Sequence, residues 1–436
     1  MNRGNGPDRV AATGLLLHAG QLVTLAGGEG PLRGVVGDAG VIPDGALAWR
    51  GEDIVWTGAS SEAERGVELL PGGLRFDAGG RAVVPGLIDS HTHMVFAGHR
   101  DEEWEERLRG VSYAEIAARG GGILNTVRAT RAAGVPELKS LAECRLQRAL
   151  EAGVTTVEIK SGYGLSLESE LKILEVVDLI RREGRYDVVP TFLGAHEVGP
   201  EFRGRRADFV REVARTWIPE VASTGRAEFF DVFCEKDVFE LEDTRAMCEA
   251  ALAAGLRLKL HADELHPLGG AGLAAELGSV SADHLVHASD SDLEKMGASG
   301  TIPVLLPGTS LMLAIPWARA ARMLEMGLPV ALATDCNPGT CYCENLPLIG
   351  SLALGGYRMP PLTALAAVTR NAACAVGRGG RLGRLQTGYR MDAVMLEEAS
   401  PASLFYHVSA PHARVVWMRG EVAFRRDVGT PVETTH

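Results

Sequence analysis

Nowhere in the chain do ~18 apolar residues run together without a charge, so no segment reads as a helix long enough to cross a bilayer, and no membrane partner is expected. Cysteine is scarce. Seven thiols, an odd number at scattered positions among 436 residues, do not make a disulfide framework and suit a reducing cytoplasm. Basic clusters are missing too: the net charge is −12, and the arginine-rich stretch at Arg203, Arg205 and Arg206 reads as a solvated loop, so nucleic acid is not an expected partner. The opening, Met1 to Val10, is polar and glycine-rich with no apolar segment behind a basic start, so no leader is expected and the protein is placed in the cytoplasm. What is present is an ordinary globular composition, 46% hydrophobic and 23% charged. A chain of 436 residues exceeds a single small module and calls for a large barrel or a barrel with a second domain.

The first ~80 residues carry short apolar alternations, such as Leu47 to Trp49 and Ile54 to Trp56, between turn signals, and read as short strands. From Val83 the text changes to β-branched runs alternating with segments of 3.6-residue period. Eight strand runs follow: Val83 to His93, Thr155 to Ser161, Val188 to His196, Glu228 to Glu235, Arg257 to Glu264, Val280 to His284, Thr301 to Leu306 and Val330 to Asp335. Helices fall between them, such as Glu137 to Ala152 behind Pro136, and Glu168 to Glu183 closed by Gly184. Eight such units over about 300 residues predict an α/β fold, a (β/α)8 barrel of the TIM type, rather than an open doubly wound sheet. Strand-like text returns at Asp392 to Leu396, Arg414 to Met418 and Glu421 to Phe424. Both chain ends are therefore expected to build one small composite β-sandwich domain, from residues 1–84 and 385–436, beside a barrel over 85–384. The stretch from His99 to Arg131 is too long for a simple connection and is expected to lie as loops or short helices over the barrel mouth.

The strongest local signal is His91-Thr92-His93 after an apolar run, because residues two apart on a strand point the same way and both imidazoles can face one metal. A lone pair of this kind is weak evidence. His196, His261, His284 and Asp335 also end strand runs, where polar side chains of a barrel converge on the active-site face. Three histidines and one aspartate with an open position suit Zn2+ or Fe2+/Fe3+, one ion per chain, and such a metal lowers the pKa of a bound water to ~7. Glu264 stands where a general base would, with Asp263 as its rival. Arg100 offers a planar fork for a substrate carboxylate, and Tyr163 in Ser161-Gly162-Tyr163-Gly164 offers a hydroxyl. For each of these the plainer reading is a surface or packed residue. His18, His407, His412 and His436 lie outside the barrel and read as bystanders, as do Cys336, Cys341 and Cys343, whose spacing matches no zinc knuckle.

In this order, the residues resemble the amidohydrolase superfamily. More narrowly, the stretches His91 to Arg100, Lys160 to Leu165, Pro190 to His196, His261 to Glu264 running on to Gly270, Ser281 to His284, Leu306 to Thr309, Ala333 to Gly339 and Glu344 to Pro347 resemble the imidazolonepropionase family across nearly all of the barrel. The resemblance implies metal ligands at His91, His93, His261 and Asp335. It implies substrate contacts at Arg100, Tyr163, His196, Glu264, Asn337, Gly339 and Thr340, and catalytic roles for Glu264, His284 and Asp335. The implied reaction is hydrolysis of 4-imidazolone-5-propanoate to N-formimidoyl-L-glutamate in histidine degradation, by metal-activated water opening the cyclic amide. A small molecule is then the expected partner, with a homodimer left open. Lys236, after the fourth strand, is weighed as the bridging carboxylated lysine of dinuclear relatives, and the mononuclear reading is preferred. The alternatives are another cyclic amidohydrolase or deaminase, separated by Arg100, Tyr163 and Asn337, and a scaffold without catalysis, for which a complete set of ligands would be unnecessary.

Overall fold

The computed structural model describes residues 9–111, 115–116, 119–426 and 433–434; the polar opening stretch up to Asp8 and His436 lie outside these. Eight parallel strands follow one another around a barrel: Leu87–Asp89, Val154–Lys160, Asp187–Ala195, Phe229–Cys234, Arg257–Ala262, Ser281–His284, Ile302–Leu305 and Ala331–Leu332. Each is hydrogen-bonded to the next in sequence, the pattern of repeated right-handed strand and helix units. The last and first strands meet just beyond their ladders, where Asp335 N donates to His91 O at 3.0 Å and His93 N donates to Cys336 O at 2.9 Å. The barrel is thus closed at the level where the polar strand ends emerge.

The expected first run, Val83 to His93, divides between two sheets. Ala82–Pro85 pairs with Val10–Val23 and with Ala393–Leu396, whereas Leu87–Asp89 pairs with the second barrel strand. The pivot is Gly86, where any side chain would collide with Thr155. Four N-terminal strands besides Ala82–Pro85, together with Ala393–Leu396, Ala413–Met418, Glu421–Arg425 and Glu433–Thr434, complete a nine-stranded sheet from both chain ends. Strands several places apart in that sheet bring Trp49, Phe76 and Trp417 into ring contact, with Phe76 and Trp417 centroids 5.3 Å apart. The sheet therefore curls over itself, and those three rings form the inside of the β-sandwich domain. One short helix, Ser60–Gly66, interrupts a region whose pattern predicts strands alone.

Helices sheathe the barrel for local reasons. Val135–Glu151 starts with Pro136 in its first turn and buries Leu138, Ala142, Leu146 and Ala149, three and four residues apart. Leu167–Glu183 is capped by Ser166, whose hydroxyl accepts from Ser169 N, and ends at Gly184 in the left-handed conformation with φ 74°. The stretch from His99 to Arg131 carries the short helices Asp101–Leu108 and Ile123–Ala132. No helix among the described residues is long and apolar enough to cross a membrane.

Candidate active site

Every strand-end histidine singled out in the sequence reaches the same place. His91, His93, His196, His261 and His284 come from four different barrel segments, yet the ring centroids of His91 and His261 are only 4.5 Å apart and those of His261 and His284 5.2 Å apart. Asp335 joins them, with Oδ1 at 3.6 Å from His91 Nε2 and 3.5 Å from His93 Nε2. Three overlapping sets of donors fall within 4.8 Å of one another: His91, His261 and His284; His93, His196 and His261; His91, His93 and Asp335. All of them except the half-buried His196 are buried, and His91 Nε2 has no hydrogen-bond partner, which is costly for an imidazole unless an ion takes its lone pair. The donor set and the orphaned nitrogen both fit a metal ion.

Two of the rings have a carboxylate behind them. His91 Nδ1 bonds Asp283 Oδ2 at 2.6 Å, leaving its Nε2 toward the centre, and Asp231 accepts from His261 N through Oδ1 at 3.1 Å while its Oδ2 stands 3.1 Å from His261 Nδ1. Asp335 is fixed by Thr309, whose hydroxyl donates to Oδ2 at 2.6 Å. Burial lowers His91 and His93 well below the ordinary imidazole range and is the largest cause that takes His196 down to about 3, so all three rings are neutral at pH 7. Burial also carries Asp335 up to about 6, against the bond from Thr309.

A cavity of about 490 Å³ opens over this cluster, lined by His93, Arg100, Tyr163, His196, His261, Glu264, His284, Asp335, Asn337 and Thr340 among others. Glu264 is buried with Oε2 at 3.6 Å from His284 Nε2, and burial followed by the charges of Asp335 and Glu235 raises its carboxyl well above the usual range. Its rival Asp263 is turned away: its carboxylate accepts the backbone N–H groups of Leu268, Gly269, Gly270 and Ala271 at 2.7 to 3.2 Å and so anchors the next helix. Asn337 shapes its own loop, donating to Asp335 O and Thr340 Oγ1 and accepting from Gly339 N and Thr340 N. Gly339 lies against the Arg100 guanidinium so closely that a Cβ would overlap it. Lys236 is exposed and does not line the cavity.

Sequence reasoning missed the supports. Glu170 holds the Tyr163 turn by accepting from Gly162 N, Gly164 N and Leu165 N at 2.7 to 2.9 Å, and Glu103 orients Arg100 through a 2.8 Å bond to Nε. Asp231, Asp283, Glu197 and Phe233 were missed as well, being ordinary letters inside strand and loop text. The only available signal was alternation: Asp231 and Asp283 are charged residues within apolar strands, where an unpaired charge is too costly to be accidental.

The barrel with a metal-suited cluster at its strand C-termini defines a hydrolase of the amidohydrolase class, and residues 234–423 match the model of the amidohydrolase family. An adenosine deaminase from Xanthomonas campestris with bound zinc shares the fold at a TM-score of 0.67 and 16% identity, covering 95% of this chain and 93% of that one. The chain is 49% identical to an imidazolonepropionase of Symbiobacterium thermophilum, over 94% of this chain and 96% of the relative. It is 46% identical to one of Geobacillus kaustophilus, over 93% and 96%. The chain belongs to the imidazolonepropionase family.

Proposed function

We propose that the chain hydrolyses 4-imidazolone-5-propanoate to N-formimidoyl-L-glutamate, a step of histidine degradation, with one zinc or iron ion held by His91, His93, His261 and Asp335. The observation that carries this reading is a guanidinium, Arg100, in the same cavity as the histidine and aspartate cluster, which suits a cyclic amide bearing a carboxylate tail. When bound, the metal supplies Lewis acidity and a water acidified to near neutrality.

The chain's own residues do the rest. Arg100 binds the propanoate and, with Tyr163 and His196, sets the ring over the cluster; the loop of Asn337, Gly339 and Thr340 closes around substrate and product. His284, a neutral imidazole kept so chiefly by burial, donates an N–H to the ring carbonyl oxygen as negative charge develops there. Glu264 takes the proton of the attacking water and delivers it to the ring nitrogen as the carbon–nitrogen bond breaks, with Asp335 assisting. The former carbonyl carbon becomes a carboxylate of the product, the ring nitrogen is the leaving group and stays in the formimidoyl group, and the balance is one water consumed. A cytoplasmic location, expected from the cysteine usage, belongs to this reading.

The test follows the ultraviolet absorbance of freshly made substrate, with metal content measured on the same preparation. Rapid loss with one metal per chain is expected, and Glu264→Gln should keep the metal while losing about 10³ in kcat. A metal-loaded wild type inert toward this substrate would reject it and direct attention to other cyclic amides.

A further inference from the structure

Beneath the histidines, inside the barrel, lies a group of charged side chains that the reaction just described does not use. Lys160, at the end of Val154–Lys160, has no exposure. Its Nζ is 2.8 Å from Glu158 Oε1, 2.8 Å from Asp231 Oδ2 and 3.6 Å from Asp283 Oδ2, and none of these side chains is exposed. The same Asp231 Oδ2 lies 3.1 Å from His261 Nδ1, and the same Asp283 Oδ2 lies 2.6 Å from His91 Nδ1. One ammonium therefore shares two carboxylate oxygens with the rear nitrogens of two imidazoles.

A carboxylate behind Nδ1 fixes both the tautomer of a histidine and the direction of its Nε2, and small errors there weaken metal binding. Two such fully buried carboxylates repel each other and need a counter-charge to stay in place. Lys160 is placed to be that charge. Burial alone would discharge it, but the charges of Asp231, Glu158 and Asp283 outweigh burial and keep it an ammonium. Lys259 is no substitute: its Nζ stands 3.9 Å from Asp283 and donates instead to Ser90 O at 3.3 Å and Ala375 O at 3.1 Å. Glu158 completes the cage, for it also accepts from the Thr191 hydroxyl, which fixes it on the neighbouring strand.

We propose that Lys160 is a positioning residue of the metal centre: its ammonium holds Asp231 and Asp283 in place and, through them, aims His261 and His91. The proposal rests on the reading of those two histidines as metal ligands. The three-carboxylate cage is in effect an internal cation site that the chain fills with its own side chain, one layer below the exchangeable ion.

The experiment compares wild type, Lys160→Met and Lys160→Gln by zinc affinity, by the visible spectrum of the cobalt-loaded enzyme, and by melting temperature with and without metal. The neutral variants should bind zinc about 10 to 100 times more weakly. Their cobalt band should change shape, and the stabilisation conferred by metal should shrink. Their kcat should fall by about tenfold or more while KM stays within about threefold, since the propanoate contacts are untouched. Wild-type zinc affinity together with an unaltered cobalt spectrum would overturn the proposal. So would failure of both variants to fold with and without zinc, which would make Lys160 a requirement of the barrel rather than of the metal. A wild type that binds no metal would remove the ligand reading itself, and this proposal with it.

Discussion

Arg100 owes its aim to its neighbours. Glu103 Oε2 takes its Nε at 2.8 Å, while Glu103 Oε1 accepts from Gly122 N at 3.1 Å and Asn125 Nδ2 at 3.3 Å, so the carboxylate that orients the arginine is itself tied to the next helix. An arginine in a charged loop normally loses much rotamer freedom on binding a ligand. Here most of that ordering is done in advance. Replacing Arg100 by Ala removes a charge-assisted bond worth about 3 kcal/mol, and KM should rise about 100-fold with a smaller loss in kcat. Gly339→Ala should act in the same direction from the other side, because its Cβ would displace the guanidinium without touching charge. Steady-state kinetics on both variants check this, and an unchanged KM in Arg100→Ala would remove the carboxylate clamp.

At the scale of the element, a barrel strand packs with its body, and at three of the eight the backbone turns at a polar residue at the end. His284, Asp335 and Asp263 all sit at strand ends with φ of 76°, 53° and 52°, a left-handed backbone that bulky residues seldom adopt. The strand bodies were legible in the sequence because β-branched runs have a length and a boundary, and the histidines were legible because they repeat at those boundaries. The turned backbone was not, since nothing in local periodicity encodes it. Nor were Asp231, Asp283 and Lys160 legible as supports: Asp283 meets His91 across 192 residues of chain, a distance at which spacing rules say nothing. The long first run was misdivided for a related reason, because the collision that makes Gly86 a pivot involves Thr155 in another strand.

Helices show the same dependence on partners. Asp178 lies near the C-terminal end of Leu167–Glu183, where a negative charge opposes the helix dipole, yet Arg181 and Arg182 each reach it at 2.8 Å. Burial pushes its carboxyl up, but the bonds and charges of those arginines win and hold it below the ordinary value. A folded-state pKa below the unfolded one gives stability that is present above about pH 4 and lost as pH falls through the folded value. Both arginines are partly or well exposed, so the expected cost of Asp178→Asn at pH 7 is only about 1 kcal/mol. In urea titrations the gap between wild type and variant should stay level from pH 8 to 5 and close below about pH 4. A gap that widens in acid would contradict the assignment.

For the whole molecule the two ends of the barrel carry different work. The strand C-termini hold the histidine cluster, whereas the beginnings of the first three barrel strands lie against the sheet built from both chain ends: Gly86 N donates to Asp392 O at 2.9 Å, and Arg390 reaches Thr156 and Asp187. Arg390 is a polar tie at that lower end: it bonds Asp187 Oδ2 at 2.6 Å, at the start of the third barrel strand, and pairs with Asp392, just before Ala393–Leu396. Arg419 reinforces it by donating N–H to Asp392 Oδ1 at 2.8 Å and a guanidinium N–H to Gly184 O at 2.8 Å. Removing Arg390 leaves Asp392 almost buried with one partner fewer, and a broken buried pair costs about 3 kcal/mol or more. Arg390→Ala should therefore lower the melting temperature by several degrees. Because none of these groups lines the catalytic cavity, kcat/KM and metal content measured well below the transition should stay within about twofold of wild type. A variant that melts like wild type but loses activity or metal would mean that the sheet shapes the mouth of the barrel through its strands. One that melts early with intact kinetics would show that docking and chemistry are energetically separate, as their places at opposite ends of the barrel strands lead one to expect.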